Sequence, residues 1–145
     1  MQAVQKAHSH RILGCVIYDT LIVMGLLMIT SSIAVGFHKL LSGQDTLEHS
    51  RLFQAYLLLV IALYFIYFWK RAGQTVGMKA WRVKLVNLAD QPLSYRQLII
   101  RWLVAIPAYA CLLVGVFWQY WSHDGLNWHD KASNTRLVFT PKPNK

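Results

Sequence analysis

The sequence predicts an all-α membrane protein, and three observations carry that expectation. The 145-residue chain is 55 % hydrophobic and only 14 % charged, where a soluble domain carries about 25 % charge. Its apolar residues gather in three long runs, each near or above the ~20 residues that cross a bilayer. The excess of positive charge, 15 Lys and Arg against 6 Asp and Glu for a net +9, sits mostly on the flanks of those runs. These features exclude a disordered chain, a nucleic-acid-binding tail and an ordinary soluble enzyme domain. Basic helix flanks suit a bilayer with anionic headgroups, which is the expected partner; nucleic acid is not.

The first run covers residues 12–37 and follows Lys6 and Arg11. It is longer than a signal-peptide core of about 7–15 residues and contains Asp19, so it is expected to stay as a membrane helix. The second run covers residues 52–69 and ends in Tyr64, Phe65, Tyr67, Phe68 and Trp69, followed by Lys70 and Arg71. That order reads as an aromatic belt and a basic stop at the membrane surface. The third run covers residues 98–121. Ser94 and Gln97 form a capping box at its start. Pro107 should kink or break it, so the segment either spans with a kink or is re-entrant. The whole chain, 1–145, reads as a single membrane domain.

Charge orients these segments. The 70–97 loop holds Lys70, Arg71, Lys79, Arg82, Lys84 and Arg96 against Asp90, whereas Lys39 and Arg51 in the 38–51 loop are balanced by Asp45 and Glu48. The positive-inside rule then puts the N-terminus and the 70–97 loop of a multi-pass membrane protein in the cytoplasm, and the 38–51 loop outside. Three full crossings would place the C-terminal tail outside, although it carries Lys131, Arg136, Lys142 and Lys145. Two short stretches bear on that conflict. Residues 81–86 alternate apolar and basic side chains with a period of two, 135–139 do so more weakly, and both, with their β-branched content, read as short strands. If they pair, in a hairpin-like ladder at the cytoplasmic face, both ends of the third run lie on one side.

Charged residues at or inside the apolar runs are the candidate site. Asp near the centre of a membrane helix costs about 2.5–3.5 kcal/mol on insertion scales. Arg11 and Asp19 lie about 12 Å of rise and about 80° apart on one helix, and Arg11 leans away. They form no local pair. Asp19 is expected to face other helices rather than lipid, within reach of Arg101, which enters the third run at a similar depth, or of a polar group. Asp130, in the polar segment Trp128-His129-Asp130-Lys131, is the expected partner of Arg11. The plainer alternative is that Arg11 and Arg101 reach out to lipid phosphates.

The stretch Arg11-Ile12-Leu13-Gly14-Cys15-Val16-Ile17-Tyr18-Asp19 resembles the start of the RDD family of bacterial membrane proteins. The likeness continues through Gly73-Gln74-Thr75-Val76-Gly77-Met78-Lys79, Arg82-Val83 and Ile100-Arg101. It ends in His129-Asp130-Lys131-Ala132-Ser133-Asn134-Thr135-Arg136-Leu137-Val138. The family is named for an arginine at the start of the first helix, an aspartate within it and a further aspartate, which match Arg11, Asp19 and Asp130. Thr20 stands where the family often has Gly, and Ser133-Asn134 replaces a more usual small pair. The resemblance implies a family for which transport of ions or unknown ligands has been suggested.

Other motifs carry less. Gly73 and Gly77 lack the spacing of a phosphate loop and read as a loop leading into a strand. His8, His10, His123 and His129 have no zinc-site spacing. Cys15 and Cys111 read as buried small hydrophobes. No metal, cofactor or enzyme activity is expected. The expected function is movement of an ion or small solute, with Asp19 as the binding acid. Two or three crossings are too thin to enclose a path, so a homo-oligomer or membrane partner is implied. The rival is a structural or regulatory module whose charges only hold the helices together.

Overall fold

The computed structural model describes residues 9–43, 51–110 and 128–140. Along the chain these form α1 (Ser9–Ser42), α2 (Arg51–Ala72), α3 (Val76–Ala80), β1 (Val83–Asn87), α4 (Tyr95–Ala110), α5 (Trp128–Ser133) and β2 (Thr135–Phe139). Cys111, residues 111–121 of the third run, His8, His123 and the lysines at 142 and 145 lie outside the described residues.

The 34 residues of α1 measure about 51 Å and the 22 of α2 about 33 Å. Both exceed a hydrocarbon core of about 30 Å. Only 22 % of the apolar window of α1 and 17 % of that of α2 are buried inside the protein. Met28, Ile33, Leu40, Leu52 and Leu59 are exposed. The core helix of a soluble domain would hide such side chains. These two helices instead match an apolar surrounding, which a bilayer provides.

The N-terminal turns of α1 behave differently. From Ile12 to Asp19 one face packs on a cap built from α3, β1 and β2. Gly14 permits this contact, because a Cβ there would run into the indole of Trp81. Ile12, Cys15, Trp69, Met78, Val83, Leu85 and Leu98 form the buried core, where α1, α2 and α4 meet the cap. Burying a side chain such as Leu85 or Leu98 contributes about 1.5–3 kcal/mol. Beyond Asp19, α1 still runs for about 34 Å, which is enough to cross a bilayer on its own.

Turn chemistry assembles the cap. Gly73, at φ 67°, ends α2 with its N–H donating to the Trp69 carbonyl at 2.9 Å, the left-handed stop that glycine allows. The chain then turns back, and Thr75 caps α3. This corrects the reading of 73–79 as a plain loop. Strand β1 starts at Val83 rather than Trp81, because Trp81 closes α3 and Arg82 takes a φ of 55°. β1 and β2 pair antiparallel, with Val83 opposite Phe139 and Asn87 opposite Thr135. They are not a hairpin, since α4 and α5 lie between them in sequence.

The capping box at the start of α4 forms in both directions. The Gln97 N–H donates to Ser94 Oγ at 3.3 Å, and the Ser94 N–H donates to Gln97 Oε1 at 3.1 Å. The helix continues through Pro107 to Ala110, so the proline does not break it within the described residues. Its inward face carries Leu98, Arg101 and Trp102.

Candidate functional site: two polar centres beside a cavity

The first centre is Asp19, buried at 5 % exposure where α1 leaves the cap. The Tyr64 hydroxyl of α2 donates to its Oδ1 at 2.9 Å. The Gly77 N–H donates to the same oxygen at 2.9 Å. The Thr75 hydroxyl donates to Oδ2, while Thr75 Oγ1 accepts from the Met78 N–H at 3.2 Å. A Cβ on Gly77 would lie 2.6 Å from the Cys15 carbonyl oxygen and 2.8 Å from Asp19 Cγ. Only glycine therefore lets the start of α3 come this close to α1. Three neutral donors satisfy the carboxylate. It meets no cation among the described residues.

The second centre is a buried ion pair. Arg101 Nη1 donates to Asp130 Oδ1 at 2.5 Å and to Thr135 Oγ1 at 2.8 Å. Ser133 Oγ and Thr135 Oγ1 share a hydrogen bond of 2.7 Å. The guanidinium stands 5.4 Å from the Trp69 ring centroid, within cation–π range. Asn134, at φ 50°, makes the tight turn from α5 into β2 that sets Ser133 and Thr135 beside the pair.

These contacts correct the expected partners. Asp19 faces α2 and α3 and meets polar groups, as expected of an acid there, but the natural candidate Arg101 is not among them. Asp130 pairs with Arg101 and not with Arg11. Arg11 instead donates to the Trp81 carbonyl at 3.5 Å and covers the Phe139 ring at 4.3 Å. Depth along one helix was a poor guide, because α3 and α5 bring their own partners in from the cap. The alternative of a lipid-seeking Arg101 is also excluded, since its side chain is 3 % exposed.

Asp19, Thr20 and Arg101 line one cavity of about 280 Å³ between α1, α2 and the cap. Most of its wall is apolar, with Ile12, Val16, Val23, Phe65 and Trp69 among its side chains. The cavity thus sees one ion pair and one carboxylate that has no counter-charge among the described residues. The model of the RDD family matches residues 8–134. The chain belongs to the RDD family. No curated protein and no solved structure gives a significant match.

In this RDD-family protein, the sequence-level reading missed Tyr64, Thr75, Gly77, Ser133 and Thr135. Tyr64 and Trp69 belong by sequence to an aromatic belt, yet both are buried at 8 % exposure, whereas Tyr67 is exposed. Thr75 followed by Val76-Gly77-Met78 was the available signal for a capped short helix with a close approach at its glycine. Ser133 and Thr135 offered no signal apart from their place beside Asp130.

The ion pair predicts a strong coupling. Arg101→Met alone and Asp130→Asn alone should each destabilise the protein in detergent by about 3–5 kcal/mol, because each strands a buried partner. The double variant should lose clearly less than the sum. An Arg11→Ala, Asp130→Asn cycle should be additive. Thermal unfolding of the single and double variants measures both; additivity for Arg101 and Asp130 would contradict the pairing.

Proposed function

We propose that this RDD-family membrane protein is a non-enzymatic transport component of the inner membrane, moving an ion or small solute with Asp19 as the group that meets the cargo. The observation that carries this reading is the state of Asp19. Its donors are neutral, it meets no cation among the described residues, and it lines a cavity at the end of the apolar stretch of α1. An acid at such a position favours a cation or a protonated group beside it. Arg101 and Asp130 neutralise each other and leave the cavity its negative character. The reading calls for neither a cofactor nor nucleic acid. A homo-oligomer or a membrane partner would complete the path. Exposed Lys79, Arg82, Lys84 and Lys131 around the cap would lie against anionic headgroups.

In the same reading the cap is cytoplasmic, with the N-terminus. The pairing of β1 with β2 supports a C-terminal segment on the same side as the 70–97 loop, since two paired strands occupy one side of a bilayer. A reporter that is active only in the cytoplasm, fused after Lys145, should then give signal. A fusion active only outside the membrane would contradict this topology.

A structural role is the second reading, and one observation favours it. The three hydrogen bonds to Asp19 fasten α1 to α2 and α3. Asp19→Asn separates the two readings, because the amide keeps shape and a carbonyl acceptor but loses the charge. Transport predicts that cation flux in reconstituted vesicles falls to background while protein level and vesicle insertion stay near wild type. Wild-type flux in the amide would leave only the structural role.

A further inference from the structure

The cavity beside Asp19 has a chemistry that narrows what it holds. Among the described residues, the side-chain oxygens on its wall belong to Asp19 and Thr20. The Thr20 hydroxyl donates to the Val16 carbonyl at 2.7 Å, so it offers the cavity lone pairs alone. The rest of the wall is hydrocarbon, sulfur and aromatic ring, together with Arg101, whose charge Asp130 balances. Hard metal ions take about six to eight oxygen ligands. This wall supplies far fewer, and an ion that kept its water would meet a surface with few partners for that water. A bare or hydrated inorganic cation therefore fits badly.

An organic ammonium fits both halves of the wall. Its three N–H donors suit the carboxylate of Asp19 and the lone pairs of Thr20. Its apolar body would lie against Val16, Val23 and Phe65. A cavity of about 280 Å³ is small among ligand sites, which run to about 300–1,000 Å³, so the body is compact, on the scale of one aromatic ring. We propose that this cavity binds a small lipophilic primary amine in its protonated form, with the ammonium on Asp19. This rests on the reading of Asp19 as the cargo-binding group and narrows the cargo to one class.

The test uses the full chain in neutral detergent, with Cys111→Ser so that Cys15 on the cavity wall is the remaining cysteine. The probe is 2-phenylethylammonium chloride; 2-phenylethanol and sodium chloride are the comparisons. The two readouts are Tm and the rate at which N-ethylmaleimide alkylates Cys15. The amine should raise Tm with the logarithm of its concentration above Kd and slow alkylation about tenfold at about ten times its Kd. The alcohol and the salt should do neither. Asp19→Asn should abolish the response. Asp19 also ties helices together, so Val23→Trp supplies a variant that fills the cavity and leaves the hydrogen bonds of Asp19 in place. It should remain folded and lose the response to the amine.

An equal response to the alcohol, or an undiminished response in Val23→Trp, would overturn the proposal. Protection by sodium with an inert amine would overturn the amine class and leave Asp19 as an ion site. Protection by the amine with no flux in vesicles would support the amine site and contradict the transport reading.

Discussion

Asp19 stands where α1 leaves the cap and begins its long apolar stretch, and a carboxylate at that point must be satisfied by protein. The three donors that do so come from α2 and α3. Much of the local architecture follows from bringing them there. Gly73 stops α2 and turns the chain back. Thr75 caps α3 and at the same time donates to Asp19. Gly77 is small enough to lie on the backbone of α1 at Cys15. Tyr64 points inward from α2 instead of outward to a membrane surface. One buried carboxylate thereby fixes the end of one long helix, the placement of a short one and the approach of both to α1.

The Arg101–Asp130 pair does the corresponding work on the other side of the core. It joins α4 to α5 and, through Thr135, to β2. Both partners are buried and joined through Nη1 of Arg101, whose Nε has no hydrogen-bond partner among the described residues, so removing one leaves an uncompensated charge. The two centres share a cavity wall and differ in charge balance. The pair is neutral in sum. Asp19 is held by neutral donors. That difference, and not the mere presence of three charged residues, gives the cavity its chemical character.

The sequence made the long elements plain and the contacts between them obscure. Apolar runs of 18 or more residues identify α1 and α2, and the Ser94–Gln97 box marks the start of α4 because capping is local. The β-branched content of 135–139 points to β2 although its burial does not alternate, while the start of β1 is hidden because Arg82 adopts a left-handed backbone that alternation does not report. All four charged residues of the candidate site were visible as charges in or beside apolar runs. Their partners were not. Pairing by depth along a helix ignores what a later segment of chain brings back, and α3 and α5 bring back the decisive groups. Thr75 and Gly77 carry no charge and Tyr64 resembles an interfacial aromatic, so nothing in their residue type marks them as partners of an acid.

The central claim is that neutral donors from α2 and α3, and not Arg101, hold the carboxylate of Asp19. Infrared difference spectroscopy on protein carrying carbon-13 in its aspartate carboxyl groups measures this directly. The Asp19 band is identified as the one lost in Asp19→Asn. The expected result is that this band shifts in Tyr64→Phe and in Thr75→Val and stays in place in Arg101→Met, which moves the Asp130 band instead. An Asp19 band that shifts with Arg101→Met and ignores both hydroxyl deletions would contradict the claim.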